Sequence, residues 1–112
     1  MEARYVVVFI TVPDDETAQQ VTDALLEKRL VACVNRVAPV HSAYIWEGAI
    51  QRDEEILLIC KTRAELVEEQ LVPVVRSVHP YEVPEIIALP ILGGHGAYLN
   101  WIDEATEAAG KA

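Results

Sequence analysis

Basic residues are scarce. Nine Lys and Arg stand against eighteen Asp and Glu, leaving a net charge of −9 over 112 residues. A protein that grips a phosphate backbone presents a basic face. Here the basic residues are scattered singly, with only Lys28 and Arg29 adjacent, which argues against nucleic acid and anionic membranes as partners. Long apolar runs are also missing. The longest, Tyr5–Ile10 and Ile56–Cys60, fall far short of the ~18 residues that span a bilayer. Met1–Glu2–Ala3–Arg4 has neither the basic stretch nor the cleavage site of a signal peptide. The expectation is a soluble, cytoplasmic protein. There are two cysteines, Cys33 and Cys60, each inside an apolar run. No Cys-x-x-Cys occurs, which removes zinc ribbons and thioredoxin-type redox pairs, and in a cytoplasmic protein no disulfide is expected.

Apolar residues are plentiful, at 52%, which rules out intrinsic disorder. The length fits one domain over residues 1–112. Tyr5–Val12 is β-branched or aromatic throughout and reads as a central strand apolar on both faces. Pro13 stops it. Asp14 is a good helix cap, and Ala18, Val21, Ala24 and Leu25 share one helical face, predicting a helix over 15–29. A second strand begins near Val31 or Ala32, is interrupted by Pro39 and runs on to Trp46. Glu47–Gly48 is a hairpin turn, and a third strand returns from Ala49 to Lys61. Thr62-Arg63-Ala64-Glu65 has the pattern of a capping box. The helix it would open carries Val67, Leu71, Val74, Val75 and Val78 on one face, is kinked at Pro73 and ends before His79–Pro80. Glu85–Ile91 is a fourth strand, and Ala97–Ala109 a last helix.

That order is βαββαβ plus a C-terminal helix: an α+β, ferredoxin-like sandwich with the helices on one face of an antiparallel sheet. The hairpin arms are about a dozen residues each, an extension of ~40 Å at ~3.3 Å per residue. Such a hairpin overhangs its own domain, yet it carries Tyr44, Ile45, Trp46 and Ile50. Apolar side chains left wet on that scale imply a partner surface. A second copy of the chain is the simplest partner.

Other functions of this topology lack their residues here. There is no Met-x-Cys-x-x-Cys after the first strand, no early phosphate loop with an Arg, and no aromatic stacking platform on the third strand. Gly93-Gly94-His95-Gly96 lacks the Lys-Ser/Thr of a phosphate loop and reads as a turn. The segment that carries chemistry is His79-Pro80-Tyr81-Glu82-Val83-Pro84-Glu85. Two prolines stiffen it, and His79, Glu82 and Glu85 offer an imidazole and two carboxylates of the kind that bind Cu(II) or Zn(II). The competing reading is a rigid helix-to-strand connector with solvated acids.

Ala32-Cys33-Val34-Asn35, Tyr44-Ile45-Trp46-Glu47-Gly48, Ile59-Cys60-Lys61-Thr62, His79 to Ile86, and Tyr98-Leu99-Asn100-Trp101 occur in the order and spacing of the CutA divalent-cation-tolerance family. The chain resembles that family over about residues 5–103. Pro73 is a departure from the family's pattern. The resemblance implies a homotrimer built like the PII signalling trimers, with a cytoplasmic role in tolerance of copper and other divalent cations rather than catalysis. It implies a pocket between subunits formed by Cys33, Trp46, Glu47, Lys61, His79, Tyr81, Glu82 and Glu85, with Cys33, His79 and Glu82 as candidate metal ligands. The alternative is a PII-like trimer that holds a small anionic metabolite through Lys61 and Arg residues.

Overall fold

Tyr5–Val12 forms strand β1 in the centre of a four-stranded sheet, and its side chains alternate strictly between buried and half-buried. A computed structural model of the chain describes residues 3–109. Helix α1 (Asp15–Glu27) starts at Asp14, whose side chain accepts from the Thr17 amide at 2.8 Å. It stops two residues earlier than its apolar spacing suggests. Arg29 takes a left-handed φ of 58°, and the Leu30 amide folds back to the Leu25 carbonyl at 2.9 Å. This is a Schellman ending with an arginine where glycine is the usual choice.

Strand β2 (Cys33–Trp46) and strand β3 (Ala49–Arg63) form the long hairpin. Glu47 and Gly48 both have positive φ, 50° and 78°, and Trp46 pairs with Ala49. This is the two-residue turn whose twist suits a hairpin. Pro39 donates no amide, and the register shifts between Val37 and Val40. β3 continues to Arg63, not stopping at Lys61, because it stays paired with β1 as far as Tyr5.

The expected capping box does not form. Thr62 is fully buried within β3, and its hydroxyl donates to the Leu30 carbonyl at 2.7 Å. Glu65 instead pairs with Arg63. The helical segment that follows is composite. One 3₁₀ turn (Ala64–Leu66) leads to a wide π turn (Val67–Leu71) and then to α2 (Val72–Val78). Within the π turn the Val72 amide reaches the Val67 carbonyl, five residues back. Pro73 follows at once and can donate no amide of its own, so the wide turn is how this helix accommodates its proline.

β4 (Ile86–Pro90) pairs with β1, giving the order β2-β3-β1-β4 with every pair antiparallel. It starts one residue later than expected and ends one earlier. The last helix, α3 (Gly96–Ala105), is shorter than its apolar spacing suggests. Thr106 closes it by donating from its hydroxyl to the Ile102 carbonyl at 2.7 Å.

One sheet face supplies Val6, Val8, Ile10, Val12, Ile56, Leu58 and Cys60 to the core, covered by α1, the π turn and α2 through Val21, Leu25, Leu71 and Val75. α3 does not join them. Its contacts are with the opposite face: Asp103 accepts from the Tyr5 hydroxyl at 2.5 Å, and Arg63 holds Thr106. The rest of that face stays open, with Val37 45%, Ile87 50% and Leu89 41% exposed. The hairpin overhang is as expected. β1 covers β3 only from Ile56 to Arg63, so residues 49–55 pair with β2 alone, and the molecule stretches to 43 Å.

Candidate functional site

α2 ends at His79, whose amide donates to the Val75 carbonyl, and Pro80 prevents another turn. The chain therefore breaks where the imidazole can turn inward. His79 is only 7% exposed. Its Nδ1 accepts from the Tyr81 amide at 3.1 Å. Its Nε2 lies 2.8 Å from the Thr11 carbonyl, which can only accept. The two contacts together fix the tautomer with the proton on Nε2. The Tyr81 ring packs against the imidazole at 4.8 Å between centroids. The Tyr81 hydroxyl then donates to Glu55 Oε2 at 2.9 Å. The relay Thr11–His79–Tyr81–Glu55 thus ties the loop to β1 and β3.

Glu55 is a carboxylate with only 6% of its surface exposed. It lies opposite Val40, just past the bulge at Pro39. Further along the hairpin the Tyr44 hydroxyl donates to Asp53 Oδ2 at 2.5 Å. Burial, and then the Glu55 carboxylate beside it, push the Tyr81 phenol well above its usual range. The bond to Asp53, and then burial, raise that of Tyr44. Both hydroxyls therefore stay protonated and donate.

Around these groups opens a cavity of about 680 Å³. Trp46, Tyr81, Glu82 and Glu85 line it, together with Thr11, His41, Ser42, Ala43, Tyr44, Val83 and Glu55. His79 does not line it but holds Tyr81 from behind. Glu47 sits exposed at the hairpin turn, outside the lining. Of the lining residues Glu55, His41 and Ser42, none stood out in the sequence, and Tyr44 stood out as an apolar residue of the overhanging hairpin. The hairpin register, counted back from Glu47–Gly48, places Tyr44 and Asp53 near each other. Glu55 carried no comparable signal, because its partner Tyr81 comes from a distant loop.

Cys33 and Lys61 lie elsewhere. They oppose each other across β2 and β3, beside Val7 of β1. Thr11, which anchors His79, is four residues further along β1, roughly 13 Å away at 3.3 Å per residue. In this second cluster Cys33 Sγ meets the Tyr98 hydroxyl at 3.7 Å, Tyr98 packs on Trp101, and Lys61 Nζ donates to Asn35. The bond to Cys33, and then burial, raise the Tyr98 hydroxyl. On the reverse face burial, and then Cys33, push the Cys60 thiol up to about 12. A single chain thus places Cys33 apart from His79 and Glu82. Among the described residues, no group of three His, Cys, Asp or Glu side chains stands close enough to hold a metal ion.

Comparison with known proteins joins these features to a family. Residues 6–105 match the family model for the CutA1 divalent ion tolerance protein. The protein CutA of Mus musculus is 44% identical over 104 residues, covering 93% of this chain and 58% of that protein. The chain therefore spans little more than half the length of that curated relative. A solved divalent cation tolerance protein from Thermus thermophilus superposes with a TM-score of 0.88 at 46% identity, covering 91% of this chain and 98% of the other. The crystal structure of CutA1 from Oryza sativa gives 0.87 at 43%, covering 93% and 94%.

Proposed function

The chain belongs to the CutA1 divalent ion tolerance family, and on that premise we propose that it binds divalent cations weakly, as part of a homotrimer, in the cytoplasm and without catalysis. The observation that carries this reading is the charge of the cleft. Glu55, Glu82 and Glu85 line it and, among the described residues, no Lys or Arg does. Carboxylates gathered without counter-charge favour a cation. The ligands proposed are His79 and Glu82 of one copy with Cys33 of a neighbouring copy. A borderline imidazole beside a soft thiol suits copper. An ion at His79 must displace either the Tyr81 amide or the Thr11 carbonyl, which supports weak affinity.

Self-association has its own support. Ile45, Ile50 and Trp46 on the overhanging hairpin are 68%, 65% and 42% exposed. The rival reading, a small anionic metabolite in the cleft, takes Lys61, which lies opposite Cys33 and would reach the cleft from the same neighbouring copy.

Calorimetric titration with Cu(II), Zn(II) and common nucleotides tests the proposal. Cu(II) heat that is lost in His79→Ala and in Cys33→Ser is the expected result. Unchanged Cu(II) binding in both variants removes those ligands. Nucleotide heat without metal heat selects the anionic reading.

A further inference from the structure

The His79 imidazole has one lone pair, and that lone pair is occupied. Nε2 carries the ring proton and donates it to the Thr11 carbonyl at 2.8 Å, which leaves Nδ1 as the acceptor nitrogen. Ligating histidines are held in this same way, with the N–H turned to a backbone carbonyl and the other nitrogen left for the metal. Here the Tyr81 amide donates to Nδ1 at 3.1 Å. The Tyr81 ring packs on the imidazole at 4.8 Å between centroids, and His79 keeps only 7% exposure. One residue thus caps the lone pair and helps close the approach to it.

Tyr81 is held at its far end as well. Its hydroxyl donates to Glu55 Oε2 at 2.9 Å, and a bond to a carboxylate is stronger than one between neutral groups. The loop between these anchors is stiff. Pro80 has a fixed φ and keeps His79 extended, at φ −83° and ψ 133°, while Pro84 restrains the other side. The stiffness couples the two contacts, so the amide leaves Nδ1 together with the phenol leaving Glu55.

We propose that Tyr81 is an autoinhibitory latch on His79: its amide occupies the nitrogen that a divalent cation would use, and its bond to Glu55 holds it there. The latch rests on the reading of His79 as a ligand and adds its regulation. His79 is available only while the loop is open, so the apparent affinity is the intrinsic one reduced by the open fraction. The site stays closed when cations are scarce and fills when they are abundant, a response suited to tolerance rather than storage.

The test titrates Zn(II), which leaves NMR signals sharp, into the ¹⁵N-labelled full chain. On saturation the His79 Nδ1 signal should move, Nε2 should keep its proton, and the Tyr81 amide should exchange with solvent at least about tenfold faster. Tyr81→Phe deletes the bond to Glu55 and should bind Zn(II) and Cu(II) about tenfold more tightly by calorimetry. A phenol acting as ligand or scaffold would give weaker binding instead. The latch is overturned by a Tyr81→Phe variant that binds no tighter than the wild-type chain, by a proton that moves to Nδ1, or by binding that survives His79→Ala. Binding that needs His79 while the Tyr81 amide stays protected defeats the latch and leaves the metal reading standing. Binding by Tyr81→Phe but not by the wild-type chain supports the latch, and binding by neither defeats both.

Discussion

β3 is one strand with two fates. From Ile56 to Arg63 it lies between β1 and β2, and alternate side chains are buried, with Leu58, Cys60 and Thr62 fully so. From Ala49 to Glu54 it pairs with β2 alone, and every residue is exposed. The backbone hydrogen bonds of the hairpin continue through both halves. What differs is whether helices cover a face. The inner half is stabilised by burial within its own chain, whereas the outer half keeps Ile50 at 65% exposure with no layer above it. A strand can thus be well formed and still lack most of the hydrophobic stabilisation that a sheet offers. Glu55 stands at the boundary, which is why a buried carboxylate occurs there beside an open cavity.

Substitutions in the two halves should therefore fail differently. The largest effect is expected inside. Leu58→Ala should cost about 3 kcal/mol through lost transfer energy and a residual cavity, read as a lowered denaturation midpoint. Ile45→Asp/Ile50→Asp in the outer half should cost a single chain almost nothing, since both residues are already exposed. If the overhang is a contact between copies, sedimentation of that variant should show a 12.4 kDa species. Loss of the fold in the hairpin variant, or an unchanged assembly, would break the contrast.

A smaller effect concerns α3, which lies against the sheet face away from the core. The Asp103 carboxyl is held below its usual range, first by the Tyr5 hydroxyl and then by Arg4, itself raised by Tyr5 and Asp103. A depressed carboxylate contributes stability above its unfolded value, about 3.9, and loses it as pH falls through the folded value. The stability gap between the wild-type chain and Asp103→Asn should be full at pH 6 and close as the pH drops below about 4. Denaturant midpoints measured from pH 6 to pH 2 check this, and a gap that widens toward acid would contradict it.

The smallest effect should be a gain. Arg29 occupies the left-handed C′ position of α1 at φ 58°, where side chains are strained and glycine is not. Arg29→Gly should stabilise the chain by about 0.5 kcal/mol. Thermal denaturation of the pair would measure it.

The elements were legible because they rest on local patterns. An unbroken run of β-branched and aromatic residues marked β1, Asp14 marked the start of α1, and Glu47–Gly48 marked the turn. The misreadings came where a side chain found a distant partner. Thr62 looks like a cap by spacing, but the Leu30 carbonyl, which is remote in sequence, claims its hydroxyl and leaves it inside β3. The candidate site was half legible for the same reason. Tyr81, Glu82 and Glu85 stand out within one proline-bound loop, and Trp46 within the hairpin. Glu55 is one more acid in Asp53-Glu54-Glu55 until β3 passes beneath Tyr81.

The sequence by itself determined the order of strands and helices, the hairpin and its reach, and the excess of apolar surface, since each follows from spacing and turn chemistry along neighbouring residues. Only the tertiary structure decided which acids face one cavity, that His79 spends both ring nitrogens on the loop and β1, and that Cys33 lies at the far end of β1 from it. Those outcomes depend on strand register and on which layer covers each face. Outside the hairpin, register is set by pairing between segments far apart in the chain, so no local pattern encodes it.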